Sequence, residues 1–142
     1  MKTAFTIVTL SVFLAQPVFA AQDQGGTDGF DFDTLAACSV VYQRIGELYA
    51  EKGDATQSED FQNTSYAYSS AAFYMLQYQT DDQASAYSYS EDRLKLVVES
   101  LNTSSSASED GDMGVINAWL PYCDTLGQGV GELVDRRASE GW

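Results

Sequence analysis

The chain has 142 residues, with 21 acidic side chains, seven basic ones, no histidine and two cysteines, for a formal net charge of −14. A chain so acidic is repelled by nucleic acid and by anionic lipid headgroups, both of which are held by Lys and Arg neutralising phosphate. Without histidine there is no imidazole to activate a thiol or to share a metal.

Met1-Lys2-Thr3 is a minimal basic start, and Ala4 to Ala15 follow without a charge. Pro17 breaks the segment, and Val18-Phe19-Ala20 places small or modest residues where a signal peptidase inspects them. The uncharged run is 12 residues, short of the roughly 20 that a spanning helix needs. A signal peptide over residues 1–20 is therefore expected, with the remainder periplasmic or secreted and not inserted in the membrane after cleavage. With Lys2 removed, six basic residues face the 21 acidic ones, and 122 residues are one domain by length with one modest core. Residues 21–30 (AQDQGGTDGF) are polar and glycine-bearing and read as a flexible leader.

The helical domain is expected over residues 31–136. Its first helix starts near Asp31 or Asp33, either of which can cap. Leu35, Cys38, Val41, Tyr42, Ile45, Leu48 and Tyr49 recur at helical spacing, and Gly53 is a natural stop. Asp54-Ala55-Thr56-Gln57 has the form of a capping box and opens a second helix that runs to about Tyr78. One stripe of it is Phe61, Ser65, Tyr68, Ala72 and Met75, and another is Tyr66, Ser70, Tyr74 and Tyr78. So much apolar circumference suits the central helix of a bundle or an oligomer contact. Thr80-Asp81-Asp82-Gln83 repeats the capping pattern before a third helix with Tyr87, Glu91, Leu94, Val97, Val98 and Leu101 on one stripe. Asn102 to Asp112 (NTSSSASEDGD) is polar and low in complexity and reads as a loop.

The fourth helix begins near Asp112 and carries Met113, Ile116, Leu120, Cys123, Gly127, Val130 and Val134. Pro121 removes one backbone donor and predicts a kink. Gly127 on the buried stripe predicts a close approach of another backbone. Arg136 and Arg137 suit the negative end of the helix dipole, and residues 137–142 read as a tail. Cys38 and Cys123 both lie on apolar stripes, 85 positions apart. In an oxidising compartment they are expected to form one disulfide joining the first helix to the last. By loop entropy that closure contributes about 4.5 kcal/mol at most. No strand-type alternation is long enough to argue for a sheet, so the fold class is all-α, a single four-helix up-and-down bundle.

Ile45-Gly46-Glu47-Leu48-Tyr49-Ala50-Glu51-Lys52-Gly53-Asp54 resembles the tetratricopeptide pattern, with its Leu-Gly-type pair, Tyr and Gly-Asp turn. The likeness covers about ten residues and has no second copy, whereas repeat proteins need roughly three units for stability. It implies a helix hairpin with close packing at Gly46, not a solenoid. The overall plan is similar to small exported proteobacterial helical proteins with one cysteine in the first helix and one in the last. That resemblance implies no activity.

Candidate chemistry is sparse. The nine tyrosines include the pairs Tyr66/Tyr68, Tyr74/Tyr78 and Tyr87/Tyr89. Tyrosine adds contact area at low entropic cost, so Tyr66, Tyr74 and Tyr78 form a candidate binding face, with core packing as the plainer role. The acidic clusters at 28–33 and 109–112 do not complete a calcium loop, since the twelfth position counted from Asp28, Asp31 or Asp110 is Ser39, Tyr42 or Pro121. They are expected to be solvated linkers, with no metal and no cofactor. The leading expectation is an exported, non-enzymatic protein that binds a protein or glycan of the cell envelope. A small cell-wall-directed enzyme using carboxylates, a periplasmic holdase and a homo-oligomer stay open.

Overall fold

The computed structural model describes residues 30–79 and 82–141, so the expected signal segment and nearly all of the leader lie outside the described residues. Four helices account for almost all of the rest: α1 (Phe32–Glu51), α2 (Ala55–Gln79), α3 (Gln83–Ala107) and α4 (Asp112–Ser139). They form the expected all-α, up-and-down bundle, closed by the Cys38–Cys123 disulfide with Cα atoms 5.5 Å apart.

Asp31 caps α1. Its carboxylate accepts from the Thr34 N–H at 2.9 Å and from the Thr34 hydroxyl at 3.0 Å, which satisfies donors that a helix start leaves open. Leu35, Cys38, Val41, Tyr42 and Ile45 all turn into the core. Every residue from Phe32 to Ser39 is buried, so α1 is the enclosed helix of the bundle, a place that the apolar circumference of α2 had suggested for α2. The reason lies in side-chain size. Ala36, Ala37 and Ser39 let neighbours approach α1 from several sides, whereas α2 turns Tyr66 out to solvent.

Gly53, at φ 79°, makes the turn that ends α1, a left-handed conformation natural to glycine. Asp54 then caps α2 through the Gln57 N–H at 3.1 Å. Its own N–H bonds to the Tyr49 carbonyl at 2.9 Å, so only half of the expected capping box is used.

The α1–α2 seam is built from small residues seven apart: Gly46 faces Ser58, and Ser39 faces Ser65. The Ser39 hydroxyl donates to the Ser65 carbonyl at 2.9 Å, and the Ser65 hydroxyl donates to the Ser39 carbonyl at 2.8 Å. A Cβ at Gly46 would lie 3.1 Å from the Ser58 carbonyl oxygen, which is the close packing expected there.

Asp82 caps α3, accepting from the Ala84 and Ser85 N–H groups. The helix then runs through Asn102–Ala107, most of the stretch that composition assigned to a loop, and leaves only 108–111 to turn. Two hydroxyls bond back along the helix, Thr103 to the Glu99 carbonyl at 2.9 Å and Ser104 to the Ser100 carbonyl at 3.1 Å. Such back-bonding lets polar residues remain helical, and buried Leu101 anchors the turn before them.

The α4 helix passes through Pro121 and continues to Ser139, beyond the boundary expected at 136. Its buried face is Val115, Ile116, Trp119, Cys123, Val130, Leu133 and Arg137, while Met113, expected inside, is 46% exposed. Among the described residues no other helix backbone comes within 4 Å of where a Cβ on Gly127 would lie. Its would-be Cβ faces the Tyr68 hydroxyl at 3.5 Å, and it is Gly129 that makes room, with the Phe30 ring 3.0 Å away.

Arg137 is buried rather than part of a tail. Its guanidinium bonds to Glu140 at 3.1 Å and lies 5.5 Å from the centre of the Tyr74 ring. The acidic clusters are likewise structural at several positions. Asp33 is buried and paired with Arg93 of α3, and Asp112 holds Arg44 at 3.1 Å and Ser105 at 2.7 Å.

Candidate functional site

A tight hairpin, a stapled α4 and a lightly seated α3 leave one long groove, between α1, α2 and α3, with a volume of about 800 Å³. Its floor comes from Phe32, Ala36 and Val40 of α1, Phe73 of α2, and Leu94 and Val98 of α3. These positions follow from helix geometry. Phe32, Ala36, Val40, Gln43 and Glu47 recur every three or four residues on α1, beside the residues that turn toward α2.

On α3 the stripe predicted from spacing is divided. Ala86, Val97 and Leu101 are the residues buried against the core, whereas Tyr87 is 59% exposed and Leu94 42% exposed, and both face the groove. Leaving Leu94 and Tyr87 partly in water forfeits only a share of the about 1.5–3 kcal/mol that full burial of a large apolar side chain is worth.

One ion pair and one hydrogen bond fix the level of α3 along α1. Arg93 binds Asp33, with Nε to Oδ1 at 3.0 Å, and Arg44 donates to the Asn102 side chain at 2.6 Å. Partly shielded pairing with Asp33 raises the pKa of Arg93. In this register Glu91 lies level with the first turn of α1, and Glu47 lies about four turns further on. Both acids line the groove, and no Lys or Arg lines it among the described residues.

Of the three tyrosines expected to bind, the structure brings two together. Tyr66 is 75% exposed and lines the groove. Tyr66 and Tyr74 also share a smaller hollow of about 420 Å³ with Phe73 and Tyr87. The Phe73 and Tyr87 rings meet edge to face with centroids 6.2 Å apart. Tyr74 is half-buried. The Tyr78 side chain lies outside the described residues. Gln77 borders the hollow, and its amide nitrogen and oxygen are buried with no hydrogen-bond partner among the described residues.

No family model, curated protein or solved structure matches this chain. The groove is therefore read from its own chemistry.

A second tyrosine cluster, around the disulfide, is sealed. The Tyr68 hydroxyl donates to the Cys123 carbonyl, the Tyr42 hydroxyl donates to Asp124 at 2.5 Å, and the two rings sit 5.1 Å apart. Burial first, and for Tyr42 the Asp124 carboxylate next, raise both phenol pKa values above the ordinary value near 10. These phenols stay protonated and fasten α1 and α2 to α4.

Among the described residues no three acidic or sulfur ligands converge on one point, and no helix is long and apolar enough to cross a membrane. Sequence reasoning missed Val40, Glu47, Phe73 and the groove role of Leu94. The available signal was the i, i+4, i+7, i+11 series Tyr87, Glu91, Leu94, Val98, in which a carboxylate sits in the middle of an apolar row.

Proposed function

We propose that this is an exported binding protein of the cell envelope, whose groove between α1, α2 and α3 receives an apolar segment of another protein. The observation that supports it is the placement of exposed Leu94 and Tyr66 beside apolar floor residues in a strongly acidic chain. Apolar surface left in water beside a concave floor marks interaction sites. Tyrosines at the rim combine contact area with a hydroxyl that tolerates both solvent and interface. Of the two partner classes that the sequence leaves open, we favour a protein segment, because four of the six floor residues, Ala36, Val40, Leu94 and Val98, are aliphatic. Sugars are held chiefly by hydrogen bonds and aromatic faces, which Phe32, Tyr66, Phe73, Tyr87 and the polar rim could offer but these four floor residues do not.

The test is site-specific photo-crosslinking in cells that make the protein. Benzoylphenylalanine at Tyr66 or Tyr87 should yield one discrete protein adduct, and the same probe at exposed Glu132 on α4 should not. Equal adducts from all three positions, or none from the groove, would reject the reading.

A further inference from the structure

Resting on the reading of the groove as a protein-binding site, we propose that its occupant is a basic amphipathic helix of about four turns from a second, different protein. Its apolar stripe would lie on Val40, Leu94 and Val98, and its cationic side chains would reach Glu91 at one end and Glu47 at the other.

Three features argue for a helix with positive charge. The groove extends along α1 from the level of Phe32 to that of Glu47, which is about 22 Å at 1.5 Å per residue and matches a helix of about 15 residues. An extended segment seated there would find no strand edge to pair with, since the walls are helices, and its backbone groups would depend on scattered side chains such as Gln43, Ser69 and Ser90 or stay unpaired over the apolar floor. A helix arrives with its backbone bonds already made, and needs only an apolar row at i, i+4, i+7 and i+11.

The third feature is charge. The two ends of the groove carry Glu91 and Glu47 with no cation in the lining among the described residues. Three of the chain's seven basic residues are engaged elsewhere, Arg44 with Asp112, Arg93 with Asp33 and Arg137 with Glu140. A second copy of this chain fits poorly for the same reason, because each copy brings a net charge of −14 and like-charged surfaces repel.

The experiment uses fluorescein-labelled 18-residue peptides and the purified, disulfide-intact protein, read by fluorescence anisotropy at about 50 mM and 150 mM salt, where screening differs. One peptide carries leucines at i, i+4, i+7 and i+11 with lysines on the other face. A second replaces the lysines with glutamines, a third replaces them with glutamates, and a fourth scrambles the first so that no apolar stripe remains.

The leucine–lysine peptide should bind about fivefold tighter than the leucine–glutamine one, a factor in keeping with two exposed ion pairs. The glutamate and scrambled peptides should bind at least tenfold more weakly than the first. Leu94→Asp should weaken the leucine–lysine peptide about tenfold, despite adding negative charge, because one buried leucine contact is lost. Leu96→Asp, an exposed position that does not line the groove, should change nothing. Glu47→Gln with Glu91→Gln should bring the lysine and glutamine peptides to equal affinity.

If the double glutamine variant keeps the full preference for lysine, or the scrambled peptide binds as well as the striped one, the cationic helix is wrong. The groove reading survives that result if the leucine–glutamine peptide binds and Leu94→Asp weakens it. If Leu94→Asp alters the binding of no striped peptide, both the helix and the groove are rejected. Unchanged melting of Leu94→Asp and of the double variant, all at exposed positions, separates these outcomes from misfolding.

Discussion

Two seams run side by side along α1 and differ at neighbouring residues. Toward α2 the helix presents Ser39 and Gly46, and toward α3 it presents Val40, Gln43 and Glu47. The first set has almost no side chain, so the α1 and α2 backbones draw together until serine hydroxyls reach opposite carbonyls. The second set is larger and in part polar, and α3 stands off far enough to leave about 800 Å³ between the helices. Burial is heaviest in the hairpin and its staple to α4, while α3 is seated by Ala86, Val97 and Leu101 and levelled by the Arg93–Asp33 ion pair and the Arg44–Asn102 hydrogen bond. The difference teaches a division of labour, in which one seam supplies rigidity and the other supplies a surface.

The strongest way to break that comparison is to cut the staple. Cys38→Ser with Cys123→Ser, or reduction, should cost about 3–4.5 kcal/mol by the loop-entropy argument for a closure of 85 positions. Thermal unfolding followed by circular dichroism reads it, and a change below about 1 kcal/mol would mean that the hairpin holds α4 unaided. Next comes the seam itself. Gly46→Leu forces a side chain against the Ser58 carbonyl, where even a Cβ would sit 3.1 Å away, and should cost about 1–3 kcal/mol by overpacking. Val40→Leu on the adjacent groove-facing row should cost less than about 0.5 kcal/mol.

The α3 side is sharpened by Arg93→Ala. Asp33, whose side chain is 10% exposed, then loses its cation, and the expected cost is about 1–2 kcal/mol. Hydrogen exchange should show the amides of α3 opening faster while those of α1 and α2 keep their protection. Equal loss of protection in all helices would show that α3 is as much a part of the rigid unit as α2.

Alkali tests the sealed tyrosines in the same spirit. The folded-state pKa values of Tyr42 and Tyr68 are raised above the unfolded value near 10. Above that pH the unfolded chain therefore binds fewer protons than the folded one, and stability falls as pH rises. Their contribution is whole below pH 10 and declines above it by up to about 1.4 kcal/mol per pH unit for each phenol. Tyr42→Phe should remove one phenol's share of that slope in denaturant titrations between about pH 10 and 11. An unchanged slope would mean that Tyr42 ionises as readily folded as unfolded.

Much of the fold was legible in the sequence because its signals are local. Asp31, Gly53, Asp54 and Asp112 sit at helix boundaries as read, and the two cysteines fall on stripes that meet. The errors share a cause, which is that composition was asked to decide tertiary position. Asn102–Ala107 is polar yet helical because Leu101 pins it and its hydroxyls bond backward. Arg137 looked like a tail residue, but Tyr74 and Glu140 hold it inside. The site was half legible. Tyr66 stood out by residue type, whereas Val40, Glu47 and Leu94 became a groove only once Arg93 and Arg44 had set the level of α3, a fact carried by no single helix.

The smallest expected effect is on stability, and it is the most informative of the five for function. Tyr66→Ala alters a side chain that is 75% exposed, and Leu94→Gln alters one that is 42% exposed. Each should change stability by no more than about 0.5 kcal/mol, as surface substitutions generally do. An apolar residue that contributes nothing to the fold, next to an apolar floor that could have covered it, has been left uncovered at no benefit to the isolated molecule. If both variants instead melt well below the parent, the groove collapses on its own side chains in solution, and Leu94 belongs to a loosely packed core. If both melt with the parent, neither side chain is needed to hold the helices together, and both remain available to an occupant of the groove as the proposal requires.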